Sequence, residues 1–302
     1  MDFTDRSALD SFIGEESAFT KNMVKPYSVS AYKEKIYATD TAQGVVFVFD
    51  PLLKKVSFIG DQSTGRLALP VSVAFDGKGL VYVSDAKLKR VYVYDLNGTF
   101  QKAFGEKDEF YRPTGIAINR ELGILYVVDT LEHNIKVYSL DGRKMYTIGK
   151  RGEEDGEFNF PTNINIDRRN GNLVVGDTQN FRIQIFDKNG KFISKFGKLG
   201  DRPGMFARPK GVAVDTEGHI YAADGAFNNI QIFNDKGELL LYFGSTGTTP
   251  GTFQLPTGLY CDEEDRLYTT EGFAARVQVF QYISDRWKNA HPNEYQELLE
   301  KK

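Results

Sequence analysis

Residues 161–197, PTNINIDRRNGNLVVGDTQNFRIQIFDKNGKFISKFG, contain four short runs in which apolar and polar residues alternate. Three turn-like segments rich in Asn, Asp and Gly (RNG, DTQN and DKNG) separate these runs. Period-two alternation between such turns is typical of antiparallel strands joined by hairpins. The stretch therefore predicts one four-stranded antiparallel sheet. A sheet of this size cannot bury both of its faces alone, so it needs neighbours.

The same pattern recurs six times along the chain. Each copy opens at a proline, 43 to 48 residues after the previous one: Pro26, Pro70, Pro113, Pro161, Pro209 and Pro256. Fourteen to sixteen residues later each copy has an acid: Asp40, Asp85, Asp129, Asp177, Asp224 and Glu271. Aliphatic residues follow six and eight positions after every acid, and an aromatic residue follows at nine. Repetition at this period indicates a solenoid or a propeller.

The two ends of the chain favour a closed ring. The first five copies finish with a strand that ends in Gly, whereas the sixth runs on into QYISDRW. Residues 11–14 (SFIG) are identical to residues 57–60, so they are predicted to supply the missing outer strand of the sixth unit. Closure removes exposed sheet edges. The prediction is all-β: a six-bladed β-propeller of four-stranded antiparallel blades over residues 1–284. Residues 285–302 predict a short C-terminal helical tail.

The repeat resembles the NHL-repeat family. The resemblance is carried by PKGVAVD (209–215), ILYVVD (124–129) and NFRIQIFDKNGKFISKFG (180–197), and it covers residues 11–283. It implies a six-bladed β-propeller, and the chain is most similar to bacterial members that are exported, periplasmic or lipid-anchored in the cell envelope. NHL propellers include protein scaffolds, RNA-binding modules and some lyases, so the resemblance is specific for the fold and not for the function.

Composition removes several classes of function. The chain has 302 residues, a formal net charge of −3 and one cysteine, so an intrachain disulfide or a cysteine-based zinc cluster is excluded. No apolar run reaches membrane-spanning length, and the N-terminus lacks the apolar core of a signal peptide. The loops at the entry to each repeat carry no continuous positive field, which argues against nucleic acid as a partner.

Histidine placement bears on a zinc-dependent lyase, the activity of some propellers that resemble this pattern. His133 lies in the predicted turn between second and third strands, and His219 lies in a turn between first and second strands. These turns belong to opposite rims, about 17–20 Å apart. One zinc ion cannot bind both imidazoles. The acids after the second strands are predicted to accept backbone N–H groups in their turns and not to form a catalytic ring.

The first strand of each repeat is predicted to line the central channel. Most copies have small residues there, as crowding at the axis requires. The departures are the candidate ligand-binding residues: Asn163, Asn165, Ser28 and Ser72, with Ser30 beside them. Two readings stay open, since these side chains could bind water and backbone groups or a small ligand. Calcium in the channel is a third possibility, although no acid accompanies the two Asn in the body of any first strand.

Aromatic residues at predicted loop tips suggest a protein interface on one face. The candidate partner-binding residues are Phe181, Phe227 and Phe273, with Arg182 and Arg276 beside them. The alternative is that these tips fold back onto the blades. Phe158, Phe206 and Phe253, in recurring G-x-F-x-x-P segments, repeat so regularly that we expect them to pack between blades.

These observations predict a monomeric, non-catalytic propeller that binds another protein through its loop face as a scaffold. They predict no catalytic residue, no metal and no membrane span. The alternatives are a metal-dependent lyase or lactonase-like hydrolase with an axial site, and an RNA-binding propeller, which the charge distribution disfavours.

Overall fold

The computed structural model describes residues 21–300, in which six antiparallel sheets form a ring. Within each sheet the strands pair in the order in which they follow along the chain. The first three sheets contain β1 (Pro26–Tyr32), β2 (Lys35–Asp40), β3 (Val45–Asp50) and β4 (Lys55–Ile59); β5 (Pro70–Phe75), β6 (Leu80–Asp85), β7 (Arg90–Asp95) and β8 (Phe100–Phe104); and β9 (Pro113–Asn119), β10 (Ile124–Asp129), β11 (Asn134–Ser139) and β12 (Lys144–Ile148).

The remaining sheets and two helices complete the described chain. They are β13 (Pro161–Ile166), β14 (Leu173–Asp177), β15 (Arg182–Phe186) and β16 (Phe192–Phe196); β17 (Pro209–Val214), β18 (Ile220–Asp224), β19 (Asn229–Phe233) and β20 (Leu239–Phe243); β21 (Pro256–Cys261), β22 (Arg266–Glu271) and β23 (Arg276–Gln281); then α1 (Asp285–Ala290) and α2 (Pro292–Glu300). The predicted six-bladed propeller and its C-terminal helix are confirmed. The closing strand predicted at residues 11–14 lies outside the described residues.

The first strands of neighbouring blades contact one another around the axis, and the hydrophobic core lies in the six seams between blades. The seam that closes the ring packs Val29 and Phe47 of blade one against Tyr268 and Val277 of blade six. Each blade therefore buries its two faces against its neighbours. The prediction that Phe158, Phe206 and Phe253 pack between blades is confirmed, since all three are buried in seams.

The acid at the end of each second strand binds the loop that enters its blade. In blade one, Asp40 accepts hydrogen bonds from the N–H groups of Val24 (2.6 Å) and Lys25 (3.0 Å), just before β1. Its other oxygen accepts from Ala42 and Gln43, both at 2.9 Å, in the turn after β2. We call this arrangement the acid clamp. The equivalent acids in the other five blades accept from the same entry segment. The predicted structural role of these acids is confirmed.

We expect Asp85→Ala to lower the free energy of unfolding by about 3 kcal/mol, because the clamp's two entry-loop donors, Ala68 and Leu69, would lose a buried acceptor. Urea unfolding followed by circular dichroism measures the effect. Asp95→Ala is the matched control: Asp95 also accepts two backbone N–H groups, but in an exposed turn where water can replace it. Equal losses in the two variants would contradict the proposed weight of the clamp.

Candidate functional site

The third residue of each first strand lies where neighbouring first strands approach most closely. It is Ser28, Ser72, Gly115, Asn163, Gly211 and Gly258 in blades one to six. A Cβ atom on Gly211 would lie 2.6 Å from the carbonyl oxygen of Thr257 in the next blade. Crowding at the axis therefore keeps this residue small in three blades, as expected, and the other three place polar side chains there.

A cavity of about 460 Å³ occupies the channel, and all the predicted channel residues line it: Ser28, Ser30, Ser72, Asn163 and Asn165. Two of them have a partner in the described chain. The Ser72 hydroxyl accepts from the Ile116 N–H (3.3 Å), and the Asn165 carbonyl oxygen accepts from the Ile166 N–H (2.9 Å). Across residues 21–300, the Asn163 amide and the Ser28 and Ser30 hydroxyls make no side-chain hydrogen bond. These groups are available to water or to a ligand.

The cavity opens at the face that carries the turns between first and second strands, which we call the hairpin face. Arg168, in the turn after β13, crosses this opening. Its Nη2 donates to the Tyr260 hydroxyl (2.9 Å) and to the Cys261 carbonyl oxygen (2.8 Å), and the guanidinium lies 5.5 Å from the centre of the Tyr260 ring. These contacts join blade four to blade six in front of blade five. Burial raises the pKa of the Tyr260 hydroxyl, and Arg168 partly opposes that shift.

Arg120, in the turn after β9, spans the same opening from blade three. Its Nε donates to the Phe75 carbonyl oxygen (3.3 Å) in blade two, and its guanidinium lies 5.7 Å from the centre of the Tyr32 ring in blade one. Its Nη1 reaches to 3.6 Å from Glu263 of blade six, on the opposite side of the ring. The hairpin end of the channel is thus framed by two arginines and two tyrosines.

Sequence reasoning missed Tyr260, Arg120 and Arg168. Tyr260 did leave a signal in the repeat alignment, because the fifth residue of the first strand is small or short in the other blades: Ser30, Ala74, Ala117, Asn165 and Ala213. Arg120 directly follows Asn119, the last residue of β9, and Arg168 follows Asp167, which accepts an N–H group in the turn after β13. A charged residue at the start of a surface turn is common, so neither arginine stood out in the sequence. Only the ring geometry shows that their side chains cross the channel.

The opposite face carries the loops that enter each first strand and the turns after each second strand, and we call it the loop face. Of the three predicted tip residues, Phe273 is 78% exposed. Phe227 is half-buried. Phe181 packs against the seam between blades four and five, so this tip folds back as the alternative predicted.

The two arginines expected beside these tips are placed differently from the prediction. Arg182 is 6% exposed and its Nε lies 2.8 Å from Asp177, while Arg276 is 1% exposed and its Nε lies 2.6 Å from Glu271. Both also donate to carbonyl oxygens of the entry loops of their own blades. Because both guanidiniums are buried, neither is accessible to a partner protein. The expected partner-binding set is corrected accordingly, and both arginines belong to the acid clamp.

Further apolar side chains are exposed on the loop face, at the tips of entry loops and turns in four other blades. They are Val24, Leu88, Tyr111, Leu131 and Phe160. None was singled out from the sequence, because none of these loop positions, counted from the proline or the acid, is apolar in every blade. Together with Phe273 they give the loop face apolar contact points in five of the six blades.

The usual metal-ligating side chains are dispersed in the described chain. Between residues 21 and 300, no three His, Cys, Asp or Glu side chains form a group that could hold one ion. His133 lies between β10 and β11, and His219 lies between β17 and β18, as predicted for opposite rims. The oxygens in the body of the channel belong to Ser and Asn and are neutral, whereas calcium sites in proteins normally include carboxylates.

His133 links two blades through the turn of blade three. Its Nδ1 accepts a hydrogen bond from the Phe160 N–H (3.1 Å) of blade four. Asn228 does the same between blades five and six, since its Oδ1 accepts from the Leu255 N–H (2.7 Å). Burial lowers the pKa of the His133 imidazole, with Arg151 acting in the same direction. The neutral imidazole is therefore the form that fits this contact.

We expect His133→Asn to reduce the loss of stability on acidification. A lowered folded-state pKa means that the contribution of His133 is complete above its ordinary value of about 6.5 and decreases as the pH falls through the folded value. Asparagine can accept the same N–H without titrating, as Asn228 does. The measurement is thermal unfolding from pH 8 to pH 5. Identical pH profiles of the wild type and the variant would exclude the proposed contribution.

Comparison with known proteins supports the fold. A family model described as DUF5128, 6-bladed beta-propeller, matches residues 165–226, which run from β13 to just after β18. No curated protein sequence matches the chain. The match is to a 6-bladed propeller family and is not to NHL repeats by name, so the NHL resemblance stays a prediction.

Solved propellers with very different functions share this architecture. A Bacteroides thetaiotaomicron protein of unknown function superposes with a TM-score of 0.71 at 16% identity, covering 90% of this chain and 73% of that one. A gluconolactonase from Xanthomonas campestris gives 0.67 at 16% identity, covering 86% of both. A chain of a nidogen/laminin complex gives 0.58 at 18% identity, covering 73% of this chain and 80% of that one. At these identities the likeness establishes the fold alone. No helix in the described range is long and apolar enough to cross a membrane.

Proposed function

We propose that this propeller is a non-catalytic binding module that engages another protein through its loop face in the bacterial cell envelope. The observation that carries the proposal is Phe273, whose ring is 78% exposed at the tip of the turn between β22 and β23. An aromatic side chain that contributes so little to packing and is held at a turn tip is typical of an interface anchor. The envelope location rests on the sequence resemblance.

The loop face is suited to binding because its loops are held in place before a partner arrives. Every entry loop is hydrogen-bonded to an acid clamp, and in blades four and six a buried arginine adds further bonds to the same loop. Preorganisation reduces the entropy cost of association. The exposed apolar tips in four other blades extend the contact area around the ring.

Features of the channel weigh against the catalytic alternatives. The prediction of a lyase or lactonase-like activity required an axial metal, and the donors in the body of the channel are neutral hydroxyls and amides. The two histidines in the blades are engaged elsewhere, His133 with the Phe160 N–H and His219 with Asp215 at 2.8 Å. Neither imidazole lines the cavity. These features favour a non-catalytic propeller over a metal-dependent lyase or hydrolase.

We expect Phe273→Ala to abolish capture of the partner protein while leaving the melting temperature unchanged, because the side chain is largely exposed in the free protein. The measurement is cross-linking in cells that express the tagged chain, with identification of the captured protein. Leu52→Ala is the matched control: Leu52 is 79% exposed, but on the hairpin face, in the turn between β3 and β4. Loss of capture by Leu52→Ala alone would place the interface on the hairpin face and contradict the proposal.

Phe181→Ala distinguishes interface from core at the equivalent tip of blade four. Since Phe181 packs against a seam, we expect this variant to lower the free energy of unfolding by about 1–3 kcal/mol, and partner capture to survive. A fall in the stability of Phe273→Ala comparable to that of Phe181→Ala would mean that Phe273 belongs to the core, and the interface proposal would fail.

We expect the purified protein to contain no stoichiometric calcium or zinc, because the body of the channel offers neutral Ser and Asn oxygens. Elemental analysis by mass spectrometry after gel filtration in metal-free buffer measures the content. Bound calcium at one ion per chain that is lost in the Asn163→Ala, Asn165→Ala double variant would contradict the proposal and favour the hydrolase alternative. Bound metal that persists in the double variant would point to a site elsewhere.

A further inference from the structure

The cavity at the hairpin face is a second candidate site, separate from the loop face. Its polar wall and its charged opening lie on the same side of the ring as the turns between first and second strands. We propose that it binds a small monocarboxylate with a hydroxyl-rich body, and that the carboxylate pairs with Arg168. This site does not depend on the protein partner proposed above.

Arg168 is the cation at the opening that lacks a carboxylate partner. Among the charged residues that line the cavity, Arg169 lies 2.7 Å from Asp167 and Arg120 lies 3.6 Å from Glu263. Arg168 makes no ion pair within residues 21–300, and it donates through Nη2 alone, to a phenol and a carbonyl oxygen. The Nε–H and the Nη1–H groups have no acceptor in the described chain, so each can donate a charge-assisted hydrogen bond to a carboxylate.

The position of Arg168 reduces the cost of binding. Its guanidinium already lies 5.5 Å from the centre of the Tyr260 ring, and its contacts with blade six hold it across the opening. A side chain held in this way loses less conformational freedom on binding than a mobile one. The Tyr260 ring also provides an aromatic surface beside the anion site, against which the carbon skeleton of a ligand can pack.

The wall behind Arg168 determines what the rest of the ligand is. The Ser28 and Ser30 hydroxyls and the Asn163 amide line the cavity without a partner in the described chain. An apolar ligand would strip water from these groups and leave them unpaired, which costs free energy. Hydroxyl groups can replace that water bond for bond. The volume of about 460 Å³ is in the range of small-molecule sites.

The acids at the opening limit the ligand to a single negative charge. Glu121 and Glu263 line the same cavity, and both would repel a dianion such as a phosphate monoester. One carboxylate can pair with Arg168 while the uncharged remainder lies against the Ser and Asn wall. A monocarboxylate therefore fits the charge balance better than a phosphate.

Titration of the whole protein with D-glucuronate, L-lactate and D-glucose, followed by calorimetry, tests the proposal. Glucose is the neutral match of glucuronate, and lactate is a short hydroxycarboxylate. We expect glucuronate to bind with a Kd below about 1 mM and glucose to bind at least about tenfold more weakly. Equal affinities for glucuronate and glucose would overturn the carboxylate assignment. No heat of binding with either carboxylate at about ten times that concentration would overturn the site itself.

Substitution of Arg168 connects the binding to this residue. We expect Arg168→Gln to remove the preference for glucuronate over glucose. We expect Arg168→Lys to keep part of it, because lysine keeps the charge but not the planar guanidinium that is held beside Tyr260. Arg112→Gln on the loop face is the matched control for loss of one exposed positive charge, and we expect it to bind glucuronate as the wild type does. Melting temperatures show whether each variant is folded.

Each result of this comparison decides the proposal. Undiminished preference in a folded Arg168→Gln variant would overturn the role of Arg168, and an equal loss in Arg112→Gln would reduce the effect to overall charge. Partner capture by the Arg168 variants separates this site from the loop face: we expect it to be unchanged. Loss of carboxylate binding with intact capture would therefore concern the channel alone.

Discussion

The acid clamp is the interaction on which this propeller depends. One buried carboxylate per blade binds the segment that enters the first strand, and in blades one, two, three and five it also accepts backbone N–H groups of the turn after the second strand. Those two segments are far apart in sequence and would otherwise expose unpaired backbone N–H groups at the end of a sheet. Because the clamp spans the strand that lines the axis and its neighbour, it also fixes where each first strand begins.

A second constraint follows from the turn that the clamp closes. The fourth residue after each acid has a positive φ in all six blades: Gly44, Lys89, His133, Phe181, Asn228 and Ala275. The repeated backbone geometry leaves the identity of this side chain open, so the blades use it differently. His133 and Asn228 accept an N–H from the next blade, whereas Phe181 packs into a seam. The same local conformation thus produces links between blades in some positions and core packing in another.

Contacts that every blade repeats could be predicted from the sequence, whereas contacts between distant segments could not. The period, the acids and the seam residues could be predicted because each blade repeats them, and because Phe158 or Ile183 serves the same packing in every copy. Arg182 was misjudged because its carboxylate partner is the last residue of β14 and its carbonyl partners lie in the entry loop, and the sequence alone does not bring these groups together. The Arg168–Tyr260 pair was missed for a stronger reason, since it joins blades four and six across the axis. Contacts of that kind depend on the closed ring.

The two ends of the channel differ because different interactions hold them. At the loop face the clamp accepts backbone N–H groups just before each first strand, and a buried arginine such as Arg276 donates to carbonyl oxygens of the entry loop. At the hairpin face the acids that end the first strands are satisfied within their own turns, as Asp76 is by three successive N–H groups. Within the described chain, the residues that follow Asn119 and Asp167 take no part in the hydrogen bonds of their own turns. Arg120 and Arg168 occupy these two positions and extend over the opening, where they contact Tyr32 and Tyr260 of other blades. The hairpin end of the channel therefore carries the charged and aromatic side chains.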